Sequence, residues 1–240
     1  MSGTNSEALR TFHDALAMFS SLLELDRGYS RPPKKHEMPF VVGLRGGAAV
    51  LAIAAFEQFL KSLFEENLEK LNPNTVDFFR LPDNIRITTV YVSLETAMKG
   101  SSHGAAGTKL DRLTEVMDVC RRAGAGVVDV SAFCGTSGNP NPDNVKQMFK
   151  NVGVPDLFLK MRPEFDKRWR KPESADFIRD KLDEIVRRRH LIAHGGDALN
   201  VTRQQLKETR RFLSAMAFVL ERLLRQHIHD VIVKAKVVRK

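Results

Sequence analysis

Cysteine is almost missing from this chain: Cys120 and Cys134 are the only two in 240 residues, and they do not form a CxxC pair. Neither a disulfide framework nor a thiolate zinc site is suggested. Tryptophan occurs once and tyrosine twice, so aromatic packing falls to 15 phenylalanines. No GxxxxGK[ST] occurs; Gly107-Thr108-Lys109 resembles only a reversed fragment of a phosphate loop, and nucleotide binding is not expected there. No apolar run follows a basic start, and no uninterrupted apolar segment looks long enough to span a bilayer. The chain therefore reads as cytoplasmic, without membrane attachment, and no motif calls for a metal or a cofactor.

The apolar fraction, 42%, allows a sizeable core without covalent staples, and the length fits one domain, 1–240. The net charge is +9 and lies at one end. From Lys160 to Lys240 there are 21 Lys/Arg against 11 Asp/Glu, and the rest is close to neutral. A phosphate polymer is the natural partner for such a surface; solubility or an acidic partner protein would also account for it.

The hydrophobic periodicity is helical over most of the chain. Ser6 to about Leu25 carries Leu9, Phe12, Leu16, Phe19 and Leu23 at spacings of three and four. Ser30–Pro39 is a proline break. Phe40 to about Leu71 reads as a long buried helix, with Gly46-Gly47-Ala48-Ala49 allowing another helix to approach closely. Arg45 and Glu57 are the charged residues in its apolar first half, and a charge on a buried face needs a partner or a wet cavity. Pro82–Met98 admits a helix or, from the alternation Ile85, Ile87, Thr89, Tyr91, a strand.

Gly100–Gly107 is a loop, and Lys109–Ala123 a helix with Leu110, Leu113, Val116 and Met117 on one side. Gly124–Pro140 is again loop-rich, with room for a short strand at Val127–Val130, so about 100–140 reads as an insertion or elaboration. Asn141-Pro142 starts a helix, and Thr202-x-x-Gln205 is a capping box before the last one. Trp169, among Arg168, Arg170 and Lys171, is either a packing anchor or a platform for a base. His227 and His229, two apart, cannot face one metal from a regular helix and read as solvated.

The stretch densest in chemistry is Arg187-Arg188-Arg189-His190-Leu191-Ile192-Ala193-His194-Gly195-Gly196, which closes a helix from about Ala175. Guanidiniums keep their charge, while imidazoles titrate near neutrality. His190 and His194, four apart, share a face; Arg189 lies about 140° from His194 on a regular helix. Gly195 and Gly196 suit positions just past a helix end. A basic helix terminus is also favoured by the macrodipole alone.

Arg189-His190-x-x-x-His194-Gly195 resembles the signature of the HEPN superfamily: Arg, four to six residues, then His. Arg188 and Arg187 satisfy the same spacing. Leu51–Leu63 (LAIAAFEQFLKSL) and Gly138–Phe149 (GNPNPDNVKQMF) resemble the long helix and the Asn-Pro loop plus helix of the RiboL-PSP type of HEPN domain, and the likeness runs from about Leu9 to Leu224. It implies an all-α helical bundle, hence a helix over 82–98. It also implies a metal-independent endoribonuclease in which His194 transfers protons, Arg189 holds the phosphate and His190 assists. Glu57 would support that pair, and Arg187, Arg188 and Arg45 are further candidates for holding phosphate.

The same resemblance implies a homodimer with a composite active site acting on RNA, 2′,3′-cyclic phosphate products, and a toxin–antitoxin or anti-phage setting. A non-catalytic RNA-binding or adaptor module acting with a partner protein is the alternative; a nucleotidyltransferase is a candidate partner, as is an antitoxin that masks the RNase.

Overall fold

A computed structural model of the chain describes residues 6–99, 109–135, 139–195 and 201–236, the side chains at 194 and 195 excepted. Among the described residues there are eight α-helices: α1 (Glu7–Asp26), α2 (Met38–Leu68), α3 (Asp83–Lys99), α4 (Lys109–Gly124), α5 (Pro142–Asn151), α6 (Leu157–Trp169), α7 (Ala175–Gly195) and α8 (Arg203–Ala235). Short 3-10 turns occur at Phe78–Arg80 and Val130–Phe133. Among the described residues no strand forms, and there is one isolated bridge, between Val76 and Lys236. The all-α class is as expected, and the start signals act where the sequence places them. The Leu9 amide donates to Ser6 Oγ at 3.2 Å, and the Asn144 amide to Asn141 Oδ1 at 2.8 Å. At α8 the box closes both ways: Gln205 N donates to Thr202 Oγ1 at 3.2 Å, and Thr202 N to Gln205 Oε1 at 2.9 Å.

The chain forms two compact units interleaved in sequence. The first draws on Met1–Leu63, Thr136–Val145 and Phe158–Arg222; the second on Phe64–Gly135, Lys146–Leu157 and Leu223–Lys240.

In the first unit the α1 stripe is fully inside: Leu9, Phe12, Leu16, Phe19 and Leu23 are buried. Phe12 meets Phe59 and Phe56 of α2 at 5.2 and 6.2 Å between ring centroids. Trp169 is a packing anchor, 6% exposed, among Phe165, Phe177 and Phe212. Its burial removes it from base stacking. One expectation is corrected here: α2, 31 residues long, is apolar enough by length and composition to cross a bilayer. Ala48, Ala52, Ile53, Phe56, Phe59, Leu60 and Leu63 of that helix are buried within this unit. A helix apolar nearly all round is what a core position also demands.

In the second unit Phe64 meets Phe149 edge to face at 5.2 Å. The Asp77 amide donates to the Ala235 carbonyl at 2.8 Å. His227 is not merely solvated, because its ring nitrogen sits 2.7 Å from the Val152 carbonyl. Residues 83–99 are helical, and the strand alternative fails for a visible reason: Ile85 and Thr89 face inward while Ile87 and Tyr91 face solvent. Their alternation therefore marks no single face. No strand forms at Val127–Val130; the 3-10 turn begins there instead. On α4 the expected inner side is outside, since Leu110, Leu113 and Met117 are all more than half exposed and only Val119 is buried. The expected loop Gly100–Gly107 lies outside the described residues.

Candidate functional site

Ser174 opens α7 by accepting the Phe177 amide at 3.0 Å. Ile178, Leu182, Ile185 and Val186 then bury one stripe of the helix. Arg189 stands seven residues after Leu182 and four after Ile185, so it continues that stripe at the point where the core gives out. The helix runs through Gly195, one residue further than a stop at the first glycine would put it. The backbone of His194 therefore belongs to its last turn, while the His194 side chain and Gly196 lie outside the described residues.

The three arginines differ in their partners. Arg187 is exposed and paired with Asp183 at 2.8 Å, one turn back on the same helix. Arg188 is mostly covered and paired with Glu184, also one turn back. Glu184 is shared with Lys181, which reaches Glu184 at 2.9 Å and Glu208 of α8 at 3.1 Å. Partial burial works against the Glu184 charge, yet Lys181 and Arg188 hold its carboxyl below the ordinary range. Lys181 is raised in turn: burial opposes its charge, and the two glutamates outweigh it.

Arg189 has no carboxylate within ion-pair distance among the described residues, and its Nε is buried with no hydrogen-bond partner. A buried donor on a permanent cation is costly unless an acceptor arrives. The spacing rule leaves Arg187, Arg188 and Arg189 equivalent, and their surroundings separate them. His190 is exposed on the outer side.

The turn that carries the motif lies against α2. Ile192 and Ala193 line a cavity of about 620 Å³ with Val42, Gly43, Gly46, Gly47, Val50, Leu51 and Ala54. At Gly43 and Gly47 an added Cβ would meet nothing within 4 Å, so among the described residues no helix closes on α2 at those two positions. Glu57 is the third residue beyond Ala54, half-buried, with Lys61 at 3.3 Å.

Arg45, a further candidate for holding phosphate, is engaged within the fold. Its Nε donates to Asp26 Oδ1 at 3.1 Å and its Nη1 to the Val201 carbonyl at 3.3 Å. Arg203 meets the other side of the same carboxylate, Nε to Oδ2, at 2.6 Å. Asp26, the last residue of α1, is completely buried. This clamp joins the ends of α1 and α8 to α2, just after the segment that follows the motif. No spacing rule finds it, because its members are 19 and 177 residues apart.

Among the described residues no group of three His, Cys, Asp or Glu side chains is placed to hold a metal ion.

Eight helices and no strand among the described residues make an all-α structure, the class to which HEPN-type domains belong. The family model for RiboL-PSP-HEPN matches residues 14–226, and the chain belongs to that family. Domains of this kind are generally ribonucleases or RNA-binding modules. No curated protein and no solved structure matches the chain in comparison.

Proposed function

We propose that the protein is a metal-independent endoribonuclease whose working groups are Arg189 and His194. The observation that carries this reading is the buried, unpartnered Nε of Arg189, on a guanidinium five residues before His194. Its two neighbours are both neutralised by carboxylates.

Cleavage of RNA without a metal needs a proton taken from the ribose 2′-OH, charge stabilised at phosphorus, and a proton given to the leaving 5′ oxygen. The planar fork of Arg189 matches two phosphate oxygens. The His194 imidazole can act as base or acid near neutrality, worth about 10² to 10⁴-fold. His190, on the face of α7 that carries His194, orients the pair or shares the transfer. Glu57 supports them from α2, and Arg187 and Arg188, already paired with Asp183 and Glu184, contribute less to holding phosphate. Arg45, committed to Asp26 and Val201, acts by holding the frame. The products are a 2′,3′-cyclic phosphate and a 5′-hydroxyl.

A second copy of the chain seats on the small-residue side of α2, against Gly43, Gly47 and Ala54, where Ile192 and Ala193 lie beside it. Two α7 ends then face one composite site. Toxin–antitoxin or anti-phage defence in the cytoplasm is the setting we infer.

The test is cleavage of tRNA, rRNA and mRNA by purified protein in EDTA, wild type beside His194→Ala. Wild type is expected to leave cyclic-phosphate ends, and the variant to bind RNA without cutting it. Wild-type protein that binds RNA but cuts none under these conditions would leave the non-catalytic adaptor reading in its place.

A further inference from the structure

The loop between α1 and α2 carries cations and aromatic rings together. From Arg27 to His36 it holds Arg27, Arg31, Lys34 and Lys35 and no acid. Arg27 is offset by Glu24 at 2.5 Å, while Arg31, Lys34 and Lys35 are exposed. The next acidic residue, Glu37, has its carboxylate taken up by the loop itself. It accepts the Lys34 amide at 2.7 Å, the Ser30 amide at 3.3 Å and the Ser30 hydroxyl at 3.2 Å. Residues 30–37 therefore close on themselves.

That closure brings Tyr29, just before the loop, to Phe40, just after it. Their rings stack, with centroids 6.2 Å apart and planes 8° from parallel. The pair borders a cavity of about 400 Å³ whose other walls are Leu25, Pro39, Gly43 and Leu44. Inside a core such a pair would be ordinary packing, but this one lies at the surface: Phe40 and Leu25 are each 62% exposed. Phe79 is as bare, yet it meets Phe78 edge to face, so those two rings share no flat face. Gly43 also lines the cavity against which Ile192 and Ala193 lie, and the two hollows adjoin along α2.

A flat apolar face is complementary to another flat ring, and the cations beside it are complementary to an anion. A nucleobase on a phosphodiester chain supplies both at once. We propose that Tyr29 and Phe40 form a stacking platform for a base of single-stranded RNA, with Lys34 and Lys35 meeting the adjoining phosphates. The proposal rests on the reading that the chain engages RNA, and it does not require that the RNA be cut. It places the strand beside the turn of α7 that bears the motif. Every base has a face to stack, so the platform holds a strand without selecting its sequence. Trp169, being buried, cannot take this part.

The experiment measures binding of an oligoadenylate, and of an abasic strand of equal length and charge, to the His194→Ala protein. Adding Phe40→Ala is expected to weaken the oligoadenylate about ten-fold and to leave the abasic strand unchanged. Phe40→Trp in its place should restore the affinity. Its added emission should be quenched by the oligoadenylate alone, since the natural tryptophan is buried. Lys34→Gln/Lys35→Gln should weaken both strands and reduce the slope of log affinity against log salt by about 1.4.

No loss in Phe40→Ala, an equal loss for both strands, emission from Phe40→Trp indifferent to the oligoadenylate, or an unchanged salt slope in the lysine variant would each overturn the proposal. So would a Phe40→Ala protein that holds RNA as before but sediments as a weaker dimer, which would assign the cavity to a second copy. If wild type cuts no RNA while the base-dependent loss is seen, the nuclease reading falls and the platform stands. If wild type cuts RNA and that loss is missing, the reverse holds.

Discussion

Three consecutive arginines lie near the end of α7, and their side chains meet three different environments. Arg187 and Arg188 are held by Asp183 and Glu184, so removing either takes away charge that is already largely offset. Arg187→Ala is expected to raise KM a few-fold and leave kcat nearly unchanged. Arg189→Lys keeps the charge but loses the fork, and kcat should fall by about 10²-fold or more. Steady-state kinetics on a single RNA separate the two cases, and equal losses at both positions would remove the distinction drawn from their partners. Asp26 is the other decisive residue, because it is wholly buried between Arg45 and Arg203. Asp26→Ala strands two guanidiniums and should cost about 3–5 kcal/mol in urea unfolding.

At the scale of elements, α7 depends on a carboxylate that titrates. Glu184 has a folded pKa below its ordinary 4.5, so between the two values the unfolded chain binds more protons than the folded one. Its contribution to stability is complete above that ordinary value and drains away as pH falls through the folded one. Glu184→Gln should therefore melt lower than wild type at neutral pH and lose less on acidification. Parallel curves of Tm against pH would contradict this. The start of α5 offers a simpler check: Asn141→Ala leaves the Asn144 amide without its acceptor and should cost about 1 kcal/mol.

At the scale of the whole molecule, the open side of α2 decides between a lone chain and a pair. Gly47 sits in the helix interior with free space where a Cβ would go. Gly47→Ala should raise the stability of an isolated chain by about 1 kcal/mol, because alanine is the better helix former. If two chains meet there closely, the same methyl group weakens the pair. Sedimentation of Gly47→Ala beside wild type is expected to show weaker dimers together with lower cleavage. A variant that melts higher, cleaves normally and sediments as wild type does would place the partner elsewhere.

Much of this architecture can be read from residue order, because helix starts and apolar stripes are local. Ser6, Asn141 and Thr202 cap helices with atoms a few residues away, and Leu9 to Leu23 bury the stripe that their spacing defines. The Arg-x4-His motif, too, is a matter of neighbours along one helix. What spacing could not settle concerns contacts across the chain. The alternation in 85–91 looked like a strand until packing turned Ile87 and Tyr91 outward. Arg45 finds its partner in Asp26, 19 residues back at the end of α1. Which of three adjacent arginines lacks a carboxylate within ion-pair distance among the described residues was likewise set by where the α7 stripe runs out of core. A charge takes its role from what lies within a few ångströms, and folding alone brings distant segments that near.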